Sequence, residues 1–567
     1  MEGEVNWIIK EVQEDLLRQV DVAPASAQLS PLVRRLLAQR GLSEPEAIDR
    51  FLSPRLSDLS DPFLMPDMQP AVDRLLKAID ENERVVLYGD YDVDGVTSVA
   101  LIQEVLGKYG LECQGFLPHR MDEGYGVSKS GVERCLKDHD PQLIIAVDCG
   151  TTSIEEVAYL KEHAVDVVIC DHHECSQDGR PDCVALVNPK VGDEYHYLCS
   201  AGVVFKVAHA LLKTRPNPAL DLKDYLDIVA LGTVADIVPL VSENRILVRK
   251  GLHRLRKTDN CGLVALKRET KLGERIQTSD IGFRLGPRLN AAGRLHTAQS
   301  ALDLLLERDP AEAKSIAQKL DQQNRERQEL EYRMYDEALA MIEKGPHPRD
   351  RCSIVLGSDD WHPGVVGIVA SRLMRRYHRP TFVVAFDETG LGKGSGRSVE
   401  KISLVSALNS CDDLLIKGGG HEMAAGLSIW KQNFPDFQQR FEEIVAANAR
   451  SEYLIPTLYV DAEVQLTELT LSLLDSYEMM EPFGSHNPQP TLLCRNVSLA
   501  GDPITISNKH LRLELYQNGT IRDAVYFGAA ELELSAPPWD VAFTIQRNEY
   551  RGRESLQIHV INVRSSQ

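Results

Sequence analysis

Between about residues 80 and 240 the chain alternates short, unbroken apolar runs with longer amphipathic stretches. Val85-Val86-Leu87-Tyr88, Leu143-Ile144-Ile145-Ala146-Val147 and Val165-Asp166-Val167-Val168-Ile169-Cys170 are short and bounded by turn residues, the pattern of strands buried on both faces. Ile228 to Ala235 reads as a fourth such strand. Gly95 to Tyr109 and Ile154 to His163 read as helices that follow strands. The alternation predicts a doubly wound, mainly parallel α/β domain over residues 76–300, preceded by a helical lead-in over residues 1–75. Asp309 as N-cap, Pro310 at the first helical position and Glu312 after it open a long helix within residues 301–345. At 1.5 Å per residue it spans about 50 Å, enough to bridge two domains across a cleft. A second, smaller α/β unit over residues 346–450 has strands at Ser353–Leu356 and Thr381–Ala385 and a helix from Val365 to Tyr377. From 451 to 567 the period changes to alternation with turns. Leu511–Tyr516 meets Ile521–Phe527 across Asn518-Gly519, and Val541–Gln546 meets Leu556–Val563 across a loop from Arg547 to Arg553. A small antiparallel barrel is expected there.

The polar residues that interrupt this pattern are concentrated where apolar runs end. The first run leads to Asp90, Asp92 and Asp94, the second to Asp148, the third to Asp171-His172-His173, and the Ile228–Ala235 run to Asp236. In open parallel sheets, ligands bind at the carboxyl ends of the strands. Six aspartates converging there would repel one another unless cations intervened. Oxygen-rich ligands with an imidazole admixture favour Mg²⁺ or Mn²⁺. Zinc is disfavoured, since the chain has no His-Glu-x-x-His helix and no C-x-x-C pair. Asp90-x-Asp92-x-Asp94-Gly95 is not a calcium loop, because no Glu stands at the twelfth position and a helix follows.

Composition narrows the setting. The apolar and charged fractions, 43% and 26%, are those of a soluble globular protein. The N-terminus does not read as a signal peptide, and no apolar run approaches the roughly 18 residues that cross a bilayer. Eleven scattered cysteines suggest free thiols and a cytoplasmic location. A net charge of −21 runs against binding of bulk duplex DNA. Arg284, Arg288 and Arg294, and Arg372, Arg375, Arg376, Arg379, Lys393 and Arg397, nevertheless cluster, which suggests a narrow basic channel in an acidic body. Gly418–Gly420, between Lys417 and His421, reads as a loop whose bare N–H groups cradle phosphate. Ser395-Gly396-Arg397-Ser398 supplies a hydroxyl and a guanidinium for a second anion contact.

Taken in order, Asp92-Val93-Asp94-Gly95, Asp148 after its strand, Asp171-His172-His173 and Asp236 resemble the four motifs of the DHH phosphoesterase superfamily. Arg120 to Gly126, Pro287 to Arg294 and Trp361 to Ile368 resemble its branch of single-strand-specific exonucleases, and Gly418 to Gly426 resembles the glycine-rich signature of the DHH-associated domain. The resemblance covers roughly Leu29 to the C-terminus. It implies a DHH catalytic domain over 76–300, a connecting helix over 301–345, a DHH-associated substrate-binding domain over 346–450 and an oligonucleotide-binding (OB-like) barrel over 451–567. Two divalent ions, Mn²⁺ or Mg²⁺, are implied. Asp148 would bridge them, with Asp92 and Asp90 completing one site and Asp94, His172 and Asp236 the other. Smaller pyrophosphatases of the superfamily place a histidine where this chain has Tyr88, and Asp90 is the substitute. His173 would face the scissile phosphate, with Asp171 orienting a neighbouring histidine. Arg120, Arg294, Ser395 and Arg397 would grip the substrate backbone. The matched motifs add Arg288, Asn290, His362, Gly419, Gly420 and His421 as substrate contacts.

The implied activity is 5′-to-3′ hydrolysis of single-stranded DNA to 5′-mononucleotides in recombination and repair. Single-strand-binding protein and a RecQ-type helicase are implied as partners, and no membrane. Two alternatives differ in a visible feature. Small-molecule members of the superfamily stop after the second domain, whereas this chain continues into a β module. Non-catalytic relatives lose metal ligands, whereas this chain has every aspartate and both histidines.

Overall fold

A computed structural model of the protein describes residues 5–118, 126–176, 179–192, 195, 197–295, 297–550 and 552–566. The chain divides into two compact units, one drawn mainly from residues 62–236 and 254–456, the other from residues 7–61, 237–253 and 457–567.

The first unit begins with five short strands, β1 (Val85–Gly89), β2 (Cys113–Phe116), β3 (Leu143–Val147), β4 (Asp166–Cys170) and β5 (Ala185–Val187). They form one sheet in the order β2-β1-β3-β4-β5, every neighbouring pair parallel. β1 and β3 are buried along their whole length, which is why they carry no polar alternation. This order reverses direction between β1 and β3, so a crevice opens at their carboxyl ends. Helix α1 (Val93–Lys108) starts there, with Asp92 as its N-cap. Helices α2 (Ser200–Thr214) and α3 (Leu226–Ala235) pack on α1 and on each other.

α3 corrects the sequence reading, which made Ile228–Ala235 a strand. The segment is a helix buried on every side, so its apolar residues show neither a 2-residue nor a 3.6-residue period, and a short apolar run is ambiguous on pattern alone. Its small residues permit close packing. A Cβ at Gly232 would lie 2.6 Å from Thr97 Oγ1 and 2.7 Å from both Ala201 Cβ and Asp94 Oδ1.

Helix α4 (Gly286–Leu295) precedes the long helix α5 (Pro310–Glu343), whose start is fixed by Asp309 Oδ1 accepting from Ala311 N at 2.8 Å and Glu312 N at 2.9 Å. α5 packs on α4 and on helix Cys261–Glu269. Farther along, its Met334, Ala338 and Ile342 enter the core of a second sheet, so it does bridge two layers of this unit. The second sheet contains β6 (Ile354–Ser358), helix α6 (Val366–Tyr377), β7 (Thr381–Phe386), β8 (Leu391–Arg397), β9 (Lys417–Gly420) and β10 (Ala424–Trp430). Its order is β9-β10-β8-β7-β6, with β6 and β7 parallel and the other pairs antiparallel.

One of these strands departs from expectation. Gly418–Gly420 is an edge strand rather than a loop, and Ser395 and Arg397 lie on β8. In β8 the glycines alternate. Cβ atoms at Gly392, Gly394 and Gly396 would come within 2.6, 2.8 and 2.4 Å of Phe386, Leu427 and Phe382, respectively. One face of the strand is therefore given over to aromatic and aliphatic neighbours, while the other presents Lys393, Ser395 and Arg397.

In the second unit, strands Leu492–Leu499, His510–Gln517, Thr520–Tyr526, Trp539–Tyr550 and Arg553–Ser565 close into a barrel through the pairing of Ser498 with Tyr516. Thr520–Tyr526 runs parallel to Arg553–Ser565, giving the connectivity of an OB-fold. The basic loop expected at 547–553 is mostly strand. Arg547 is held by Asp475, Glu478 and Glu554 and is no free DNA contact. The N-terminal helices are part of this same unit. Val33, Leu36, Leu37, Ile48 and Leu52 share one core with Leu474, Trp539 and Phe543, and Gln39 Nε2 donates to Asp461 O at 2.8 Å. No helix among the described residues is long and apolar enough to cross a membrane.

Candidate metal centre

The crevice at the ends of β1 and β3 collects the acidic residues. Ligand atoms of Asp90, Asp92 and Asp148 lie within 4.8 Å of one another, as do those of Asp94, His172 and Asp236, and those of Asp148, His172 and His173. His172 Nε2 sits 3.3 Å from Asp148 Oδ1, 3.5 Å from Asp236 Oδ2 and 3.9 Å from Asp94 Oδ2.

Local structure holds each group in place. Asp92 Oδ1 accepts from Asp94 N at 2.9 Å and Gly95 N at 3.2 Å. Gly95 is required there, because a Cβ would lie 2.4 Å from Asp90 O. Asp94 accepts from Ser200 N at 2.7 Å and Ala201 N at 2.9 Å, so it caps α2 with the helix dipole behind those donors. Ser200 Oγ donates to Asp148 Oδ1 at 2.9 Å. Asp148 has φ +61°, a left-handed conformation that aspartate tolerates better than most residues. Asp171 does not join the carboxylate cluster. It accepts from Thr151 N at 3.0 Å and lies 2.7 Å from His173 Nδ1. Asn188 Nδ2 donates to Thr151 Oγ1 and to His173 O, both at 2.9 Å. Ser200, Thr151 and Asn188 escaped the sequence reading, and only the position of Ser200 at a helix start hinted at a role.

Electrostatics separate the two histidines. Burial, reinforced by His173, lowers His172 to about 4, leaving a neutral imidazole with a lone pair to offer. Desolvation also acts to lower His173, but the Asp171 hydrogen bond and charge outweigh it and raise this group to about 9, so it keeps its proton. Burial and then Asp92 lift Asp94 to about 6; burial and then Asp94 lift Asp236 to about 8; Asp148 rises well above the carboxylate range for the same reasons. His172 Nε2 and Asp236 Oδ2 are buried without a hydrogen-bond partner among the described residues. Buried polar atoms left so are costly. Oxygen donors around one neutral imidazole fit a pair of hard or borderline divalent cations, which would offset both costs.

A pH dependence follows. In the metal-free chain, Asp94 and Asp236 have folded pKa values above their ordinary 3.8. Their contribution to stability is therefore complete below about pH 4 and is lost as pH rises through about 6 and about 8. Mn²⁺ competes with the same protons. The rise in melting temperature on adding Mn²⁺ is expected to be larger at about pH 8 than at about pH 5, measured by thermal unfolding with and without chelator. A rise independent of pH would count against these carboxylates as ligands.

The other sequence candidates are distributed as follows. Arg120 lies outside the described residues. Asn290 Oδ1 accepts from Val93 N at 3.2 Å and so steadies the start of α1. Arg288 donates to Asp321 of α5 at 2.8 Å. Arg294 Nη1 donates to Gly364 O at 3.3 Å, and Gly364 N donates to His362 Nδ1 at 3.0 Å, which brings α4 against the loop before α6. Arg397 Nη1 donates to Ser395 Oγ at 3.0 Å, beside Gly367 at the start of α6. Register places Gly419, Gly426 and Ser395 in one row across three strands. Gly419, Gly420 and His421 are exposed there.

The expected basic channel is thinner than the sequence suggested. Arg379 is spent on the carbonyls of Pro348, Arg351, His378 and Leu454. Arg372 pairs with Glu331 at 3.0 Å, and Arg284 with Asp280 at 3.1 Å.

Comparison with known proteins agrees with this architecture. Residues 84–233 match the DHH family N-terminal domain, 351–447 the DHHA1 domain and 460–562 the RecJ OB domain. The chain is 36% identical to the single-stranded-DNA-specific exonuclease RecJ of Bacillus subtilis (strain 168), over 98% of this chain and 70% of that protein. It is also 36% identical to the enzyme of the same name from Dickeya dadantii (strain 3937), over 94% and 95% of the two chains. The crystal structure of RecJ in complex with Mn²⁺ from Thermus thermophilus superposes with a TM-score of 0.85 at 29% identity, covering 100% of this chain and 80% of that one.

Proposed function

The chain belongs to the RecJ family of single-stranded-DNA-specific exonucleases, and from that premise we propose that it degrades single-stranded DNA from the 5′ end to 5′-mononucleotides, in recombination and repair. The observation that carries this reading is the juxtaposition of two donor sets, Asp90-Asp92-Asp148 and Asp94-His172-Asp236, in the crevice between β1 and β3, with Asp148 Oδ1 3.3 Å from His172 Nε2.

In this reading Asp90 and Asp92 would hold one divalent ion and Asp94, His172 and Asp236 the other, with Asp148 contributing to both. When bound, Mn²⁺ or Mg²⁺ would supply charge neutralisation and a lowered pKa for water in phosphodiester hydrolysis. The residues do the rest. Neutral His172 offers its lone pair, while protonated His173 donates a hydrogen bond to the scissile phosphate or a proton to the leaving oxygen. Asp171 fixes the Nδ1 side of His173 and thereby directs Nε2 outward. Arg294, Ser395 and Arg397, with Arg120, hold the phosphates that follow. Arg288 and Asn290 act through α5 and α1, as positioning residues. Gly419, Gly420 and His421 offer an exposed edge to the strand, and His362 stands beside Arg294.

Eleven cysteines, all free, suit the cytoplasm. Single-strand-binding protein and a RecQ-type helicase are the proposed partners on family resemblance.

The test is product analysis with Mn²⁺ on a long single strand labelled at one end and then at the other. A labelled mononucleotide released at once from the 5′ label, and late from the 3′ label, is the expected result. Cleavage confined to a two-to-four-nucleotide oligomer or to pyrophosphate would assign the chain to small-molecule chemistry instead.

A further inference from the structure

One aromatic side chain of the catalytic unit stands well clear of any core. Phe283 is 79% exposed. It lies in a π-helical turn, Ile281–Leu285, a rare geometry that recurs at functional sites. The turn is rigidly mounted. Ile281 and Leu285 are buried, Asp280 Oδ2 accepts from Gln277 N at 2.9 Å, and the Arg284 guanidinium bonds Asp280, Thr270 O and Lys271 O. Phe283 is thus presented to solvent on a backbone with little freedom to withdraw it.

Its surroundings point to a ligand. The turn packs against α3, and a Cβ at Gly286 would lie 3.8 Å from Ala235, the residue before Asp236. It runs directly into α4, which carries Arg288, Asn290 and Arg294. In a chain of net charge −21, residues 267–294 carry seven Lys and Arg against three Asp and Glu; Arg284 and Arg288 are engaged by Asp280 and Asp321, while Arg268 and Lys271 are exposed. An exposed aromatic ring amid locally basic sequence, beside a phosphodiester-cleaving centre, is the combination that binds single strands by stacking and backbone attraction.

We propose that Phe283 is a substrate-binding residue that stacks on a base of the incoming single strand at the approach to the metal centre. This rests on the exonuclease reading and adds a residue to it. A stacked base fixes the strand without reading its sequence, because every base offers a π face.

The experiment compares the unaltered chain with Phe283→Ala and Phe283→Trp, with Mn²⁺, on a single-stranded thymidine oligomer and on one of equal length made of abasic residues. Phe283→Ala is expected to raise KM about tenfold on the thymidine strand, equivalent to about 1.4 kcal/mol, with kcat within about twofold. Phe283→Trp is expected to restore KM. On the abasic strand the unaltered chain and Phe283→Ala are expected to coincide. Tryptophan emission of Phe283→Trp in chelator, less that of the unaltered chain, is expected to be quenched by the thymidine oligomer and not by the abasic one. An unchanged KM in Phe283→Ala, or the same KM ratio on both strands, overturns the stacking role. Failure of the unaltered chain to shorten any single strand overturns the exonuclease reading and this role with it.

Discussion

Replacing Asp148 by Asn is expected to reduce hydrolysis of single-stranded DNA by at least about a thousandfold, or about 4 kcal/mol of barrier, while raising the melting temperature of the metal-free chain. The two effects share a cause. Asp148 is only 2% exposed, and burial, then Asp94, Asp92 and Asp90, push its carboxyl well above the usual range. Asparagine removes one charge from that cluster and accepts the left-handed φ of +61° that alanine would resist. It also keeps an oxygen to accept from Ser200 Oγ. What it cannot do is serve as an anionic ligand common to both donor sets. The measurements are kcat with Mn²⁺ and thermal unfolding in chelator at about pH 8. Activity within tenfold of the parent would show that Asp148 is not the shared ligand, and a lower melting temperature would show that its charge does not destabilise the metal-free chain.

Gly232→Ala is expected to destabilise the protein by about 1–3 kcal/mol and to raise the Mn²⁺ requirement by about 10–100-fold. The added methyl would enter the contact between α3 and α1, where Thr97 Oγ1, Ala201 Cβ and Asp94 Oδ1 already lie within 2.7 Å of its position. Asp94 is the movable member, and displacing it breaks its two bonds to the start of α2. Gly107→Ala is the control. It lies near the far end of α1, the helix that carries Asp94, with nothing within 4 Å, and alanine there is expected to be neutral or stabilising by up to about 1 kcal/mol. Mn²⁺ titrations of activity on both variants distinguish a displaced ligand from general loosening. If excess Mn²⁺ leaves Gly232→Ala no closer to the parent, the methyl acts on folding alone.

The chemistry was more legible in the sequence than the packing that supports it. Asp90, Asp92, Asp94, Asp148 and His172 stand out because buried parallel strands are uniformly apolar, so the first polar residue after each one marks the site. The same uniformity misled at Ile228–Ala235. A helix buried all round has no polar face to reveal its period, and the residue it delivers, Asp236, reaches the crevice from a different layer. β8 was hidden for the opposite reason. Glycine is a poor strand former, so Gly392, Gly394 and Gly396 give no strand signal, although the side chains of Phe382, Phe386 and Leu427 take up the space they leave. Arg288, Arg372 and Arg379 illustrate a third limit. Clustered guanidinium groups look alike in sequence whether they face solvent, Asp321, Glu331 or backbone carbonyls.

The core shared by the N-terminal helices and the barrel carries a consequence for biosynthesis. Val33, Leu36, Leu37, Ile48 and Leu52 share their apolar core with strands and a helix that lie from Ala462 onward. At roughly 5–20 residues per second, the roughly 410 residues between Leu52 and Ala462 take about 20–80 s to synthesise. Throughout that interval these helices lack the barrel side of their core, while the parallel sheet of residues 85–187 and the helices that complete its crevice, ending at Ala235, can already assemble. The crevice is therefore placed to mature before the core that those helices share with the barrel.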